Sequence, residues 1–547
     1  MKILAVIPAR GGSKGIPRKN MRLLNGRPLI SYAIDNALSS SYIDEVVVST
    51  DSEEIISYAS SRKVKTIERS NELAADSITL DPVIYDAINK IEKLENTCFD
   101  AVVTLQPTSP LLRTSSLDKA LEEFMRKQLD TLISVTNKPH LSWTLAEDGI
   151  TKVPAYKERL NRQQLPPNYL ETGAFVISRR AVVSQNSRIG EKVGVFELEE
   201  RESVDIDSSV DWAVSEALLK RKKIAFRLDG YKELGLGHVY RGLTLAYELT
   251  NHDVVFVCKA EHEEGIKKLT DSFMKVVTID SEIDFFDWLK KSNCDVVVVD
   301  TLDTSSEYIS TLKALVKRVV SFEDLGQGAY LTDATINALY EDQGLPTNFY
   351  CGEKYVCLRD EFVISRPSVF HDEVKNVFAM FGGSDPLNLT QRIIDLGQRI
   401  NSKELVFHFD IVLGPAYSAQ IIDEKELSNF GIKIYRDVKR VSDLMGNADI
   451  AFTSQGRSVY ELCQMAVPSI VIAQNRREQR HSFAEIKNGF INIGLGTKVS
   501  DEDIERTFNW LVSSNSIRRQ MHDVMKTKNL QKGIGRVIDL ILGDHYE

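Results

Sequence analysis

The densest run of chemically competent residues opens the chain. Ile7-Pro8-Ala9-Arg10-Gly11-Gly12-Ser13-Lys14-Gly15-Ile16-Pro17-Arg18-Lys19-Asn20 follows the apolar run Ile3-Leu4-Ala5-Val6. The apolar run predicts a buried strand of a parallel sheet. Glycines let backbone N–H groups close on anionic oxygens, and Arg10, Lys14, Arg18 and Lys19 supply countercharge. A loop of this kind on a strand end suits a polyphosphate, although the Walker A pattern is absent. In Val204-Asp205-Ile206-Asp207, residues two apart in an extended segment share a side. Asp205 and Asp207 thus offer paired hard oxygens for Mg²⁺, which would bridge phosphate oxygens. One of the two could instead cap the helical pattern that starts near Ser208-Ser209. Gln106 and Ser109, in the proline-stiffened turn Leu105 to Arg113, can project hydrogen-bonding groups from a strand end. Arg162, in Asn161-Arg162-Gln163-Gln164-Leu165-Pro166, can hold a carboxylate.

The second half has its own constellation. Gly235-Leu236-Gly237-His238-Val239-Tyr240-Arg241 sits between a strand and a helical pattern, so Gly237 would bring backbone donors to an anion. His238 would face the cleft as a general base near neutral pH. Ser454-Gln455-Gly456-Arg457-Ser458-Val459-Tyr460-Glu461 reads as a strand end, a glycine turn and a helix start. Gly456, Arg457 and Ser458 suit a diphosphate, and Glu461 could accept two ribose hydroxyls. Asn475 is a further candidate nucleotide contact.

These residues need elements to position them. Strands are expected at 2–8, 45–50, 101–106 and 131–136, alternating with helical patterns that include 53–60, 117–126 and 209–221. That alternation argues a parallel α/β sheet. A fresh strand begins at Ile224, which places a domain boundary near 222. Strands at 253–258, 276–279, 295–300, 318–322 and 334–338 would form a second sheet. Those at 376–381, 406–413, 432–435, 449–453 and 469–473 would form a third. The expected domains are 1–222, 223–370 and 371–547, with a nucleotide in the cleft between the last two. A chain of 547 residues has room for about three or four domains. Its net charge of −10 argues against a general nucleic-acid binder. No apolar run is long enough to span a membrane, no signal peptide is evident, and the six scattered cysteines suit a reducing cytoplasm.

The opening motif, together with Ser49-Thr50-Asp51, Leu105-Gln106-Pro107-Thr108-Ser109-Pro110-Leu111, Asn161-Arg162-Gln163 and Val204-Asp205-Ile206-Asp207, resembles the acylneuraminate cytidylyltransferases over about 220 residues. The resemblance implies a Rossmann-like nucleotidyltransferase domain, dimeric through an inserted subdomain. It implies transfer of CMP from CTP to a nonulosonic acid of pseudaminic, legionaminic or sialic type, with release of pyrophosphate. Arg10 and Lys19 would contact the CTP phosphates with Ser13 and Asn20 nearby, Gln106 would serve the sugar-acid subsite, and Asp205 and Asp207 would hold Mg²⁺. One departure is Glu171-Thr172-Gly173-Ala174, where many sialic-acid members have Asn-Gly-Ala.

Residues 223–500 are similar to the pseudaminic-pathway UDP-sugar hydrolases, which have the two-lobed GT-B fold. The similarity rests on Gly235-x-Gly-His-Val-x-Arg241, Asp333-Ala334-Thr335-Ile336-Asn337, Phe381-Gly382-Gly383-Ser384-Asp385-Pro386, Val412-Leu413-Gly414-Pro415 and Tyr460-Glu461-Leu462. It implies that His238 activates water, Glu461 binds the uridine ribose, and Gly456 to Ser458 bind the diphosphate. The implied reaction frees a diacetamido-trideoxyhexose from UDP. A glycosyltransferase and a non-catalytic UDP-sugar-binding module are the alternatives. Gln455-Gly456-Arg457 replaces the usual Gly-Gly-Ser/Ala turn. The two resemblances together imply a bifunctional cytoplasmic enzyme with a synthase as a pathway partner.

Overall fold

The computed structural model describes all residues except 13, 14, 76, 232–234, 343, 415, 420–423, 437 and 544–547. Two compact units divide the chain, Met1–Arg221 and Lys222–Glu547.

The first unit is built on a seven-stranded sheet: β1 (Ile3–Pro8), β2 (Glu45–Thr50), β3 (Lys65–Glu68), β4 (Ala101–Leu105), β5 (Thr131–Asn137), β6 (Tyr169–Arg179) and β7 (Val193–Glu197), in the order β7-β5-β6-β4-β1-β2-β3. β1 is apolar at every position because both of its faces are covered. Ile3, Ala5 and Ile7 join one core cluster with the helices at 30–39 and 114–127. Leu4 and Val6 join another with the helix at 80–95. The helix Thr114–Lys127 buries Leu117, Ala120, Leu121 and Phe124, the stripe expected of one helical face.

The sheet is not wholly parallel, contrary to the sequence expectation. β6 runs antiparallel to both β4 and β5. Its pairing with β5 shifts register between Glu171 and Val176, and Gly173 in that bulge has φ +71°. The polar segment Glu171-Thr172-Gly173 interrupts the apolar signal, so this strand is hard to see in the sequence. The bulge sets Gly173 against Gln106, just past the end of β4.

The second unit contains two wholly parallel sheets. In the first lobe β8 (Lys223–Leu228), β9 (Asp253–Lys259), β10 (Val276–Ile279), β11 (Val296–Asp300), β12 (Arg318–Phe322), β13 (Ala334–Asn337) and β14 (Phe349–Cys351) lie in the order β10-β9-β8-β11-β12-β13-β14. In the second lobe β15 (Asn376–Met380), β16 (His408–Val412), β17 (Ile432–Tyr435), β18 (Ile450–Thr453), β19 (Ser469–Ala473) and β20 (Phe490–Leu495) lie in the order β17-β16-β15-β18-β19-β20. This is the two-lobed, double Rossmann-like GT-B architecture. Strand order reverses between β8 and β11, and again between β15 and β18. Ligands of doubly wound sheets bind outside the strand ends at such points.

Chain order and lobe membership part company at the end of the chain. Residues 371–547 were expected to form the second lobe alone. The last helix (Gly533–Leu542) instead buries Val537, Leu540 and Ile541 among β8, β11, β12 and β13 of the first lobe. Its apolar face matches the exposed side of that sheet, which would otherwise face water. A Cβ on Gly533 would lie 2.0 Å from the Val356 carbonyl oxygen, so the returning chain touches the outgoing connection there.

Candidate functional sites

In the first unit, three segments converge where strand order reverses between β1 and β4. The loop after β1 is tied back by Gly11 N donating to Asp51 Oδ1 at 2.8 Å and by Asn20 Nδ2 donating to the Arg10 carbonyl at 2.9 Å. Asn20 is thus buried as a brace of the loop. Lys19 crosses to the acidic segment. Its Nζ donates to the Ile206 carbonyl at 2.7 Å and lies 3.4 Å from Asp207 Oδ1. A Cβ on Gly15 would stand 2.7 Å from the Asp207 carbonyl oxygen, so that contact admits only glycine. Ser13 and Lys14 lie outside the described residues. Arg18 pairs with Glu54.

The acidic pair alternates as its spacing predicts: Ile206 is in the core with Ile16, Leu24 and Leu29, and the two aspartates face away from it. Ser208, boxed with Asp211, caps the helix Ser209–Leu219, so Asp207 is not spent on capping. Its side chain is 80% exposed. Asp205 Oδ2 and Gln106 Nε2 both lie against Gly173, at 3.0 and 3.2 Å from where its Cβ would be. Burial holds the Asp205 carboxyl above the usual range and the Asp207 charge adds to this; the Thr108 hydroxyl and Lys19 oppose it. Asp205 Oδ1, Thr108 Oγ1 and Ser109 Oγ are buried without a well-formed hydrogen bond. A buried carboxylate oxygen lacking a partner, next to an exposed carboxylate, is a donor set that fits Mg²⁺ shared with phosphate oxygens. Arg162 stands on an exposed single turn at 162–164. No contact joins it to Gln106 or Asp205 among the described residues. The neighbouring hairpin, Trp143–Leu145 with Lys152–Pro154, leaves Trp143, Leu145 and Ile150 more than half exposed.

In the second unit, a cleft of about 430 Å³ lies between the lobes. The glycine turns after β8 and β15 face each other across it, with a Cβ on Gly383 placed 3.5 Å from Gly235 Cα. The helix Gly237–Glu248 starts in the cleft and carries His238 and Arg241 on successive turns. His238 Nδ1 is hydrogen-bonded to Asp300 Oδ1, at the end of β11. Arg241 Nε donates to Asp300 Oδ2 at 2.7 Å and Nη1 to Glu323 Oε1 at 3.2 Å. Burial lowers the His238 pKa, against the pull of Asp300, which favours the neutral imidazole. Burial also acts on Asp300, but Arg241 and His238 outweigh it and hold the carboxyl well below its usual range. The pair Asp300–His238 leaves Nε2 as the imidazole nitrogen available to a water.

Arg457 reaches over from the second lobe and donates to the Gly237 carbonyl. Burial and the nearby Arg241 push its pKa down to about 10. Gly456, Ser458 and Glu461 line the same cleft. Glu461 is not unpartnered: Arg359 Nε donates to its Oε1 at 2.9 Å. Asn475 does not belong to the cleft. Its Oδ1 accepts from Arg477 N at 2.9 Å and Glu478 N at 3.0 Å, which makes it the cap of a turn.

A cytidylyltransferase family model matches residues 4–242. The CMP-N,N'-diacetyllegionaminic acid synthase of Legionella pneumophila is 34% identical over 231 residues, 40% of this chain and 97% of that protein. The chain belongs to the cytidylyltransferase family. The pseudaminic acid cytidylyltransferase of Campylobacter jejuni is 35% identical over 226 residues, again 40% of this chain and 97% of that one. An uncharacterized protein of Methanocaldococcus jannaschii is 31% identical over 284 residues, 47% of this chain and 57% of its own length. The chain therefore spans little more than half of that relative. Among solved structures, Acinetobacter baumannii MurG aligns over 59% of this chain and 99% of its own, with 13% identity and a TM-score of 0.44.

Four residues of this cytidylyltransferase-family chain escaped the sequence reading. Asp300 ends the run Val296-Val297-Val298-Val299, and a carboxylate closing a fully buried strand was the available signal. Glu323 likewise follows β12. Arg359 gave no signal, because only the fold brings it to Glu461. Arg69 is buried beneath the first site, its Nη2 donating to the Ser49 carbonyl at 2.9 Å. Burial lowers its pKa, Asp51 opposes that shift, and Arg10 adds to it. No described helix is long and apolar enough to cross a membrane.

Proposed function

We propose that the first unit transfers CMP from CTP to a nonulosonic acid and that the second hydrolyses a UDP-linked diacetamido-trideoxyhexose. The first assignment is carried by the convergence of Lys19, Asp205, Asp207 and Gln106 at the reversal of strand order. The acid's anomeric hydroxyl oxygen attacks the α-phosphorus, its proton passes to solvent, and the bond between the α-phosphorus and the bridging oxygen breaks as pyrophosphate leaves. Arg10 and Lys19 bind the phosphates, and Gln106 orients the acid. Asp205 and Asp207 would hold Mg²⁺, which when bound would supply charge neutralisation on the phosphate oxygens. The exposed apolar side chains of the 143–154 hairpin suit a homodimer interface. A cytoplasmic location and a synthase partner complete this reading.

The second assignment is carried by the Asp300–His238 pair facing the interlobe cleft. His238 Nε2 takes the proton of a water that attacks the anomeric carbon, and UDP departs. Gly456, Arg457 and Ser458 bind the diphosphate. The second carboxylate oxygen of Glu461 accepts from the ribose.

Pyrophosphate release with CTP, Mg²⁺ and a panel of nonulosonic acids tests the first activity. Asp207→Ala should abolish release while the melting temperature stays near that of the wild type, since the side chain is exposed. Release surviving in this variant would refute the role. UDP release without any acceptor, lost in His238→Ala, is expected of the second unit. A requirement for an acceptor would make it a glycosyltransferase instead.

A further inference from the structure

The reaction just described gives Glu323 no task, yet the residue is held in an unusual state. It follows β12 with φ 50°, a left-handed conformation that costs a glutamate energy and that clusters at ligand sites. Its main-chain carbonyl accepts from Arg477 Nη2 at 2.6 Å. The side chain is 6% exposed, and the residue lines the cleft. Oε1 accepts from Arg241, and Oε2 is buried without a well-formed hydrogen bond, although the Leu339 N–H also favours the charged carboxylate. Burial raises its pKa, while Arg241 and Arg457 favour the charged form. Buried carboxylate oxygens are normally paired, so one left poorly paired on a residue that lines a cleft has capacity for a further donor.

Which part of a ligand would supply it follows from the neighbours. Arg241 Nη2, on the guanidinium that holds Glu323, is 3.4 Å from His238 Nδ1. Glu323 therefore belongs to the His238 side of the cleft, in the first lobe. Glu461 and the Gly456–Ser458 turn belong to the second lobe. Resting on the UDP-sugar reading of this cleft, we propose that Glu323 Oε2 accepts a hydrogen bond from an N–H or O–H of the sugar. It thereby selects a neutral hexose and rejects one that carries a carboxylate. A sugar whose carboxylate is set against Oε2 has no proton to offer there and places like charge against it in a low-dielectric site. The CMP-linked acid made by the first unit is then excluded as a ligand of the second.

The test is calorimetric titration of the full-length protein with UDP, UDP-N-acetylglucosamine and UDP-glucuronic acid. The wild type should bind the N-acetylglucosamine conjugate at least about tenfold more tightly than the glucuronic conjugate. Glu323→Gln keeps a carbonyl oxygen for Arg241 and should weaken binding of the first conjugate roughly tenfold, narrow the gap between the two, and change UDP affinity far less. Should Glu323→Gln fail to fold, Glu323→Asp, which withdraws the oxygen but keeps the charge, is expected to weaken the first conjugate in the same way. A purely structural role would not change the ratio between two sugars on one nucleotide. Unchanged discrimination in a folded variant that still binds UDP overturns the proposal and leaves the UDP-sugar reading intact. Failure of the wild type to bind UDP overturns both.

Discussion

At the scale of single residues, two close approaches make sharp predictions. Gly15 has no room for a side chain against the Asp207 carbonyl. Gly15→Ala must displace either the opening loop or the acidic segment, at a cost of about 1–3 kcal/mol. Pyrophosphate release should fall much more than stability does, which kinetics and melting of the same sample would show. The Asp300–His238 pair predicts a pH profile. Burial depresses the His238 pKa, so the base form persists, and the acid limb of kcat/KM for UDP release should lie below about 6.5, the ordinary histidine value. Asp300 opposes that depression. Asp300→Asn should therefore shift the limb further to acid while lowering the rate roughly 10²–10⁴-fold. A limb that moved to higher pH would contradict this arrangement. Much of this chemistry is legible in the sequence where residue type and spacing act locally, as with Asp205, Asp207 and His238. It is not legible where function depends on partners distant in the chain. Arg359, 102 residues before Glu461, is the clearest case. Asn475 shows the converse, a suitable side chain consumed by its own turn.

Among the elements, strands buried on both faces announce themselves. β1, β11 and β19 are continuous apolar runs, and the sequence places each to within a residue or two. β6 and β20 do not, because a bulge breaks one and alternating exposure dilutes the other. The reversed direction of β6 has no local signature, since direction is set by which neighbours the strand meets. The destination of the last helix is equally nonlocal. Its amphipathic face is plain in Val537, Leu540 and Ile541, but nothing in that pattern says which sheet it covers. Leu540→Ala should cost the second unit about 2–5 kcal/mol. Denaturant unfolding followed by UDP affinity would detect the loss, and pyrophosphate release should persist at denaturant concentrations where UDP binding has gone. Simultaneous loss of both would show that the units do not unfold independently.

For the whole molecule, the division falls at Arg221 and Lys222, and relatives that align over 97% of their own length cover only 40% of this chain. Residues 1–221 expressed alone are therefore expected to release pyrophosphate at roughly the rate of the full chain. An inactive but folded fragment would mean that the second unit completes the first site. Within the second unit, the connection leaving the first lobe and the segment returning to it lie against each other at Val356 and Gly533. Any swing of one lobe against the other, as a door swings on its frame, would have to turn about these two passages, which lie side by side. The last residues of the chain belong to the frame. A dye attached at Gly543 thus travels with the lobe that carries His238, not with the lobe that precedes it in sequence. Paired with a dye beyond Glu461, it would read the angle of the door directly.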